Sequence, residues 1–217
     1  MLAWRTISIT ALLLCAAALS DADAGVIFDN TTTFTGTRSF TALQIGDEIN
    51  AAGSERFVSL LEIGMTQQGF AGTADLQARL YANDGTGGQP GSLLWQSAIL
   101  NDVPLSGGND LIPFPVPLVL APNTFTWTVQ ISDTNPVAVG LPHFHPPTVG
   151  SSPDHAWFGG PGSWTRLAGA SPTNLMARVT AVPEPACAAV VVTALLAAVL
   201  ARRFRRLAMR HRLPETC

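Results

Sequence analysis

Two stretches of the chain alternate apolar and polar residues with a period of two. Phe125 to Ile131 sets Phe125, Trp127, Val129 and Ile131 against Thr126, Thr128 and Gln130, and Leu76 to Ala82 sets Leu76, Ala78 and Leu80 against Gln77, Arg79 and Tyr81. Successive side chains of an extended strand point to opposite faces, so each stretch predicts a strand with one buried face. Asn174 to Thr180 repeats the pattern with Leu175, Ala177 and Val179. Phe57–Met65 and Leu93–Leu100 predict further strands, with shorter ones near Phe40, Leu111 and Val137. Loops rich in Gly, Pro, Asn and Asp separate them, and neither a helical period nor a fixed internal repeat emerges between residues 25 and 181. The expected fold class is all-β, an antiparallel β-sandwich of jelly-roll-like type.

At both ends the alternation gives way to continuous apolar runs. The chain opens with Arg5, an apolar stretch from Ile7 to Leu19, and the small-residue exit Ala22-Asp23-Ala24. These are the three parts of a secretory signal, so residues 1–24 are expected to be a signal peptide cleaved after Ala24. The run is shorter than the ~20 residues of a membrane span, and Cys15 lies within it without the polar flank of a lipoprotein signal. Near the other end, Ala186 to Ala201 contains Thr193 as its one polar residue. As a helix it rises about 24 Å against a hydrocarbon core of ~30 Å, and the following Arg202, Arg203, Arg205 and Arg206 can snorkel to complete a single transmembrane helix. Burying this run in the domain would strand those charges. Arginine bias places the tail, residues 202–217, in the cytoplasm with residues 25–181 outside it. A lipid-anchor signal of the GPI type would lack the basic block. The closing Leu213-Pro214-Glu215-Thr216-Cys217 approximates a sortase motif but follows the span and lacks its glycine, so it is read as chance.

Charge narrows the possible partners. All twelve basic residues are arginine, and six of them fall in the last sixteen residues. Between Gly25 and Val182 five arginines face eleven carboxylates, a net charge of −6. That segment has no basic patch with which to neutralise phosphates, so a nucleic-acid partner is excluded. Cys15, Cys187 and Cys217 all lie outside it. A disulfide framework and a thiolate zinc site are therefore excluded as well, leaving apolar burial to hold the domain together.

Taken in order, Val182-Pro183-Glu184-Pro185, the short apolar run and the arginine tail resemble the PEP-CTERM sorting region. The resemblance implies recognition by an exosortase, a membrane-embedded transpeptidase-like enzyme of Gram-negative-type bacteria that make exopolysaccharide. The two prolines hold the segment extended, as a protease-like site requires, and keep the helix from creeping into it. Leu80 to Trp95, LYANDGTGGQPGSLLW, resembles a hairpin of extracellular choice-of-anchor β-sandwich domains, which bring no established activity with them. Asn83-Asp84-Gly85 is itself a turn signal.

Candidate chemistry in the exported segment is sparse. The glycines from Gly85 to Gly91 do not make a phosphate loop, because the chain has no lysine. Asn83 and Asp84 could offer oxygens to calcium, but no second carboxylate follows at useful spacing. His143, His145 and His155 with Asp154 have metal-ligand chemistry, and histidines at i and i+2 share a strand face. Their contexts, LPHFHPP and SSPDHAW, read instead as solvated loops. Hydrolase motifs and an exported cysteine nucleophile are missing, so no catalytic residue, metal or cofactor is assigned. Trp157, Phe158 and Trp164 stand among glycines and prolines, where aromatic faces can stack on sugar rings or cap the core. The Asn30-Thr31-Thr32 sequon is read as chance.

The expected function is that of an exported, non-enzymatic cell-envelope or extracellular-matrix protein. It is anchored in the membrane by a single span, processed by an exosortase, released to the surface or matrix, and placed to meet exopolysaccharide. The alternatives are a secreted carbohydrate-binding module and, behind it, a metal-dependent hydrolase.

Overall fold

A computed structural model of the chain describes residues 24–39, 44–67, 71–135, 139–168 and 173–183. Residues 1–23 of the expected signal segment, Phe40, Val137, Glu184, Pro185, the apolar run 186–201 and the tail with Arg202, Arg203, Arg205 and Arg206 lie outside the described residues. The described strands are β1 (Gly25–Asp29), β2 (Phe34–Ser39), β3 (Gln44–Asn50), β4 (Phe57–Gln67), β5 (Gly72–Ala82), β6 (Leu93–Gln96) and β7 (Leu100–Leu105). They continue with β8 (Asn109–Leu120), β9 (Thr124–Asn135), β10 (Val139–Phe144), β11 (His155–Gly159), β12 (Thr165–Ala168) and β13 (Ala177–Val182).

All strand pairs are antiparallel and fall into two sheets. The first runs β1-β13-β4-β10-β2, and the second runs β12-β11-β3-β9-β5-β6. In the first, β8 follows one edge of β4 from Phe57 to Thr66, so β13 and β10 share the opposite edge in succession. In the second, β6 pairs with Arg79–Tyr81 and β7 with Gly72–Leu76, both on β5. One continuous apolar cluster draws Val58, Leu61, Ile63, Phe114 and Val179 from the first sheet and Ile45, Leu76, Leu80, Phe125, Trp127 and Ile131 from the second. This is a β-sandwich. Full burial of such side chains stabilises the fold by about 1.5–3 kcal/mol each relative to exposure.

Several segments depart from the sequence expectation for identifiable reasons. Leu93–Leu100 is two strands, because the Ser97 hydroxyl oxygen accepts the Ala78 N–H at 3.0 Å and interrupts the ladder. Asn174 to Met176 precede β13, and Leu175 makes only an isolated bridge to His143. The stretch near Leu111 is a twelve-residue strand, β8, in which Pro113, Pro115 and Pro117 alternate with buried Ile112, Phe114 and Val116. Hydrogen-bonding groups of successive strand residues point to opposite edges. The ladder to β4 needs donors, which Ile112 and Phe114 carry, so the donorless proline nitrogens fall on the outer edge. Prolines there deny a foreign strand its partners.

Gln44–Asn50 and His155–Gly159 are strands that the periodicity does not reveal, and His155, expected in a loop, opens β11. In β3 the inward series Ile45, Asp47, Ile49 is broken by a carboxylate, which hides its period. Asp47 is fully buried. One oxygen accepts the Ser152 hydroxyl at 2.9 Å and the other the Leu175 N–H at 3.0 Å, tying the second sheet to the lead-in of β13 in the first. Within the first sheet, Asn30 donates to the carbonyls of Phe144 (2.8 Å) and Leu175 (3.2 Å) and clips the end of β1 to β10 and the lead-in of β13. Burial raises the Asp47 pKa well above the ordinary 3.8, outweighing the lowering by Leu175 and Ser152.

A protein comprising Gly25–Val182 is expected to fold alone. Circular dichroism should show a β spectrum, and reductant should leave its melting temperature unchanged, because the segment is free of cysteine. A coil or helical spectrum would refute this. The raised Asp47 pKa carries its own sign: the folded state holds the proton more tightly, so this group's contribution is full below about 3.8 and is lost as pH rises through the folded value. Asp47→Asn does not titrate. The stability of the parent minus that of the variant should therefore fall as pH rises from 4, then level off. Urea midpoints that differ by a constant amount from pH 4 to 9 would contradict the buried carboxylate.

Candidate cleft on the outward face of the second sheet

The alternation that sends Phe125, Trp127 and Val129 inward turns Thr126, Thr128 and Gln130 outward. The same rule brings Gln77, Arg79 and Tyr81 from β5, Gln44 and Glu48 from β3, and His155 and Trp157 from β11 to that face. They form a dense polar layer. The Tyr81 and Thr128 hydroxyls donate to Gln44 Oε1 at 3.0 and 3.2 Å. Arg79 donates to Gln96 Oε1 at 2.7 Å, to Gln130 Oε1 at 3.0 Å and to Gln77 Oε1. Burial raises the Tyr81 pKa and lowers that of Arg79.

Two loops rise over this layer. The first joins β5 to β6 and is the LYANDGTGGQPGSLLW hairpin. Asp84 accepts both the N–H and the hydroxyl of Ser92 at 2.6 Å, and those two bonds lower its pKa. The Asn83 oxygen accepts the Thr126 hydroxyl at 2.8 Å. Gly87 and Gly88 adopt φ of 69° and 78°, a left-handed backbone that glycine tolerates without strain. Gly91 packs against Asp84 and Gly85 so closely that a β-carbon would collide with both. The calcium reading of Asn83 and Asp84 thus meets a loop that already uses the oxygens Asp84 would offer. The second loop joins β11 to β12 and lays Trp164 edge-on against Tyr81, with ring centres 5.4 Å apart.

Beside the first loop lies a cleft of about 420 Å³. Glu48, His155 and Trp157 line it from the sheet, Asn83, Gly87 and Gly88 from the first loop, and Arg166 from β12. Glu48 Oε2 accepts the Trp157 indole N–H at 3.4 Å and lies 3.7 Å from His155 Nε2, beyond hydrogen-bond reach. The His155 and Trp157 rings meet edge to face at 5.3 Å. His155 is 5% exposed, and among the described residues neither of its ring nitrogens has a hydrogen-bond partner. Its pKa is lowered, chiefly by burial and next by the Arg166 charge, with Asp154 opposing. The Asn83 nitrogen is likewise without a partner.

The candidates named from sequence are distributed unevenly around this cleft. Trp157 lines it, whereas Trp164 packs on Tyr81 and is not part of its lining. Phe158 alternates to the inner face and packs on the core. His143 lies on β10 in the other sheet, its pKa lowered by burial and by Arg38. His145 follows that strand, 3.0 Å from Asn174 Nδ2 and 3.9 Å from Asp154. Among the described residues no three His, Cys, Asp or Glu side chains gather as metal ligands. Asn30 of the sequon is buried. Val182 ends β13 opposite Phe57, and Pro183 follows it. Glu48 and Asn83 carry no sequence signal that marks them as lining groups. His155, named from sequence only as a possible metal ligand, lines the cleft without a metal cluster around it among the described residues. No protein-family model matches the chain, nor does any curated protein or solved structure.

Gly91→Ala should strain the first loop and destabilise the domain by roughly 1–3 kcal/mol, the usual cost of overpacking. Equal unfolding midpoints for variant and parent would show that the loop can yield.

Proposed function

We propose that the chain is an exported, non-enzymatic cell-envelope or extracellular-matrix protein of a bacterium. A signal peptide, residues 1–24, sends it out; one short span near 186–201 holds it; and an exosortase processes it at Val182-Pro183-Glu184-Pro185. The observation that carries this reading is where the sandwich starts and stops. Gly25, the residue after the expected signal cleavage, pairs with Ala181, and the last strand ends at Val182, where the sorting motif begins. Cleavage at either point leaves every described strand in the fold. Pro183 is exposed and lacks an N–H, so it cannot prolong the ladder.

Other features agree with export. Residues 24–183 form a compact unit whose core and clips are drawn from within it. The segment has no cysteine to be oxidised. Sequence-distant neighbours, such as β13 between β1 and β4, support the jelly-roll-like form. The hydrolase alternative would need His143, His145, His155 and Asp154 together, yet His143 and His155 belong to different sheets.

The sorting signal can be tested in the producing cell. Replacing Pro183, Glu184 and Pro185 by alanine should leave the protein in the membrane, correctly oriented and uncleaved. Neutralising Arg202, Arg203, Arg205 and Arg206 together should weaken retention, because pulling a charge through the bilayer centre costs at least ~2.5 kcal/mol. That variant should appear full length outside the cell. Fractionation with an epitope near Ser106 separates the two outcomes, and release of the alanine variant like the parent would remove the exosortase from the scheme.

A further inference from the structure

We infer that the cleft over the second sheet binds a neutral saccharide, with adjacent hydroxyl groups held by Glu48 and His155 and a further oxygen by the Asn83 carboxamide. This deepens the proposed function by naming a partner class, and rests on that reading only for where the glycan is met.

His155 carries the argument. A residue 95% removed from solvent seldom leaves both ring nitrogens unpaired, since an unmade buried hydrogen bond is costly. Its ring lines an open cleft, and because each nitrogen shows less than 1 Å² to solvent, pairing with a ligand there takes a turn of the ring toward the opening. With its pKa lowered by burial and by Arg166, the ring is neutral at pH 7 and offers one donor and one acceptor. Glu48, 3.7 Å away, retains acceptor capacity after taking the Trp157 N–H. The Asn83 nitrogen supplies another donor, because its oxygen is held by Thr126. Mixed donors and acceptors at such spacing suit hydroxyl groups, each of which gives and takes a hydrogen bond.

Other ligand chemistries fit less well. Glu48 opposes an anion among the lining groups nearest His155, and Arg166 reaches the cleft from an exposed position on β12. A metal cation would meet one carboxylate with an amide N–H and a guanidinium beside it. An apolar side chain would cover these polar groups without pairing them. The volume, about 420 Å³, falls within the ~300–1,000 Å³ of small-ligand sites and admits one or two sugar rings against the Trp157 wall.

The test uses the full-length protein purified in a sugar-free detergent. It is first applied to an array of neutral glucose, mannose and galactose oligosaccharides beside uronate oligosaccharides. The best neutral oligosaccharide is then titrated by calorimetry. At least one neutral oligosaccharide should bind, and Glu48→Gln, which keeps the shape and loses the charge, should weaken it at least about ten-fold with an unchanged melting temperature. His155→Gln should weaken it similarly, which keeps the test decisive if either variant folds poorly. Arg166→Ala reports on the anionic alternative, in which this guanidinium would dominate the binding. Binding of uronates alone, loss confined to Arg166→Ala, an unaffected Glu48→Gln, or no titration at all would each overturn the site. Because the protein is purified, such a failure leaves the export reading intact, and that reading fails only by fractionation.

Discussion

Asp47 sits in the middle of an apolar strand face, fully removed from solvent. Its two oxygens are spent on the Ser152 hydroxyl and the Leu175 N–H, one from the loop entering β11 and the other from the lead-in to β13. A buried carboxylate left without such donors would be intolerable, so the chain must bring those two segments to β3. Once they are there, β11 has a neighbour, β13 has a fixed approach to β4, and Asn174 is poised to meet His145. A single polar residue in the core thereby constrains the relation of one sheet to the other, which apolar packing, being non-directional, does not.

The same clamp organises the outward face. Asp47 and Glu48 are consecutive, so the pleat that buries one presents the other. Register between β3 and β11 pairs Asp47 with Ala156, which leaves His155 and Trp157 on the side of Glu48. The cleft is consequently a by-product of how the core is pinned. Its remaining wall comes from the β5–β6 hairpin, whose shape is maintained by Asp84 on Ser92.

The fold class was legible because β9 and β5 are central strands with one wholly apolar side. Their alternation survives any choice of partner. β8 was underestimated because proline ordinarily marks a break, yet here its spacing of two places every proline on the unpaired edge. β3 was invisible for the reason that makes it important: its period is broken by the carboxylate that anchors the sheets. The candidate site was less legible still. Tryptophans catch the eye in a sequence, whereas Glu48, Asn83 and His155 converge only through register between strands far apart in the chain.

β13 lies between β1 and β4, paired along both edges, and its last residue adjoins the segment through which a tether would leave. Tension entering there acts along the strand rather than across it. The ladders on either side then share the load in shear, and many hydrogen bonds must fail together before the domain opens. Had the exit been from an edge strand pulled sideways, the bonds would break singly, like the teeth of a zip. The position of the final strand thus lets the sandwich meet a pull applied at Val182 with two ladders at once.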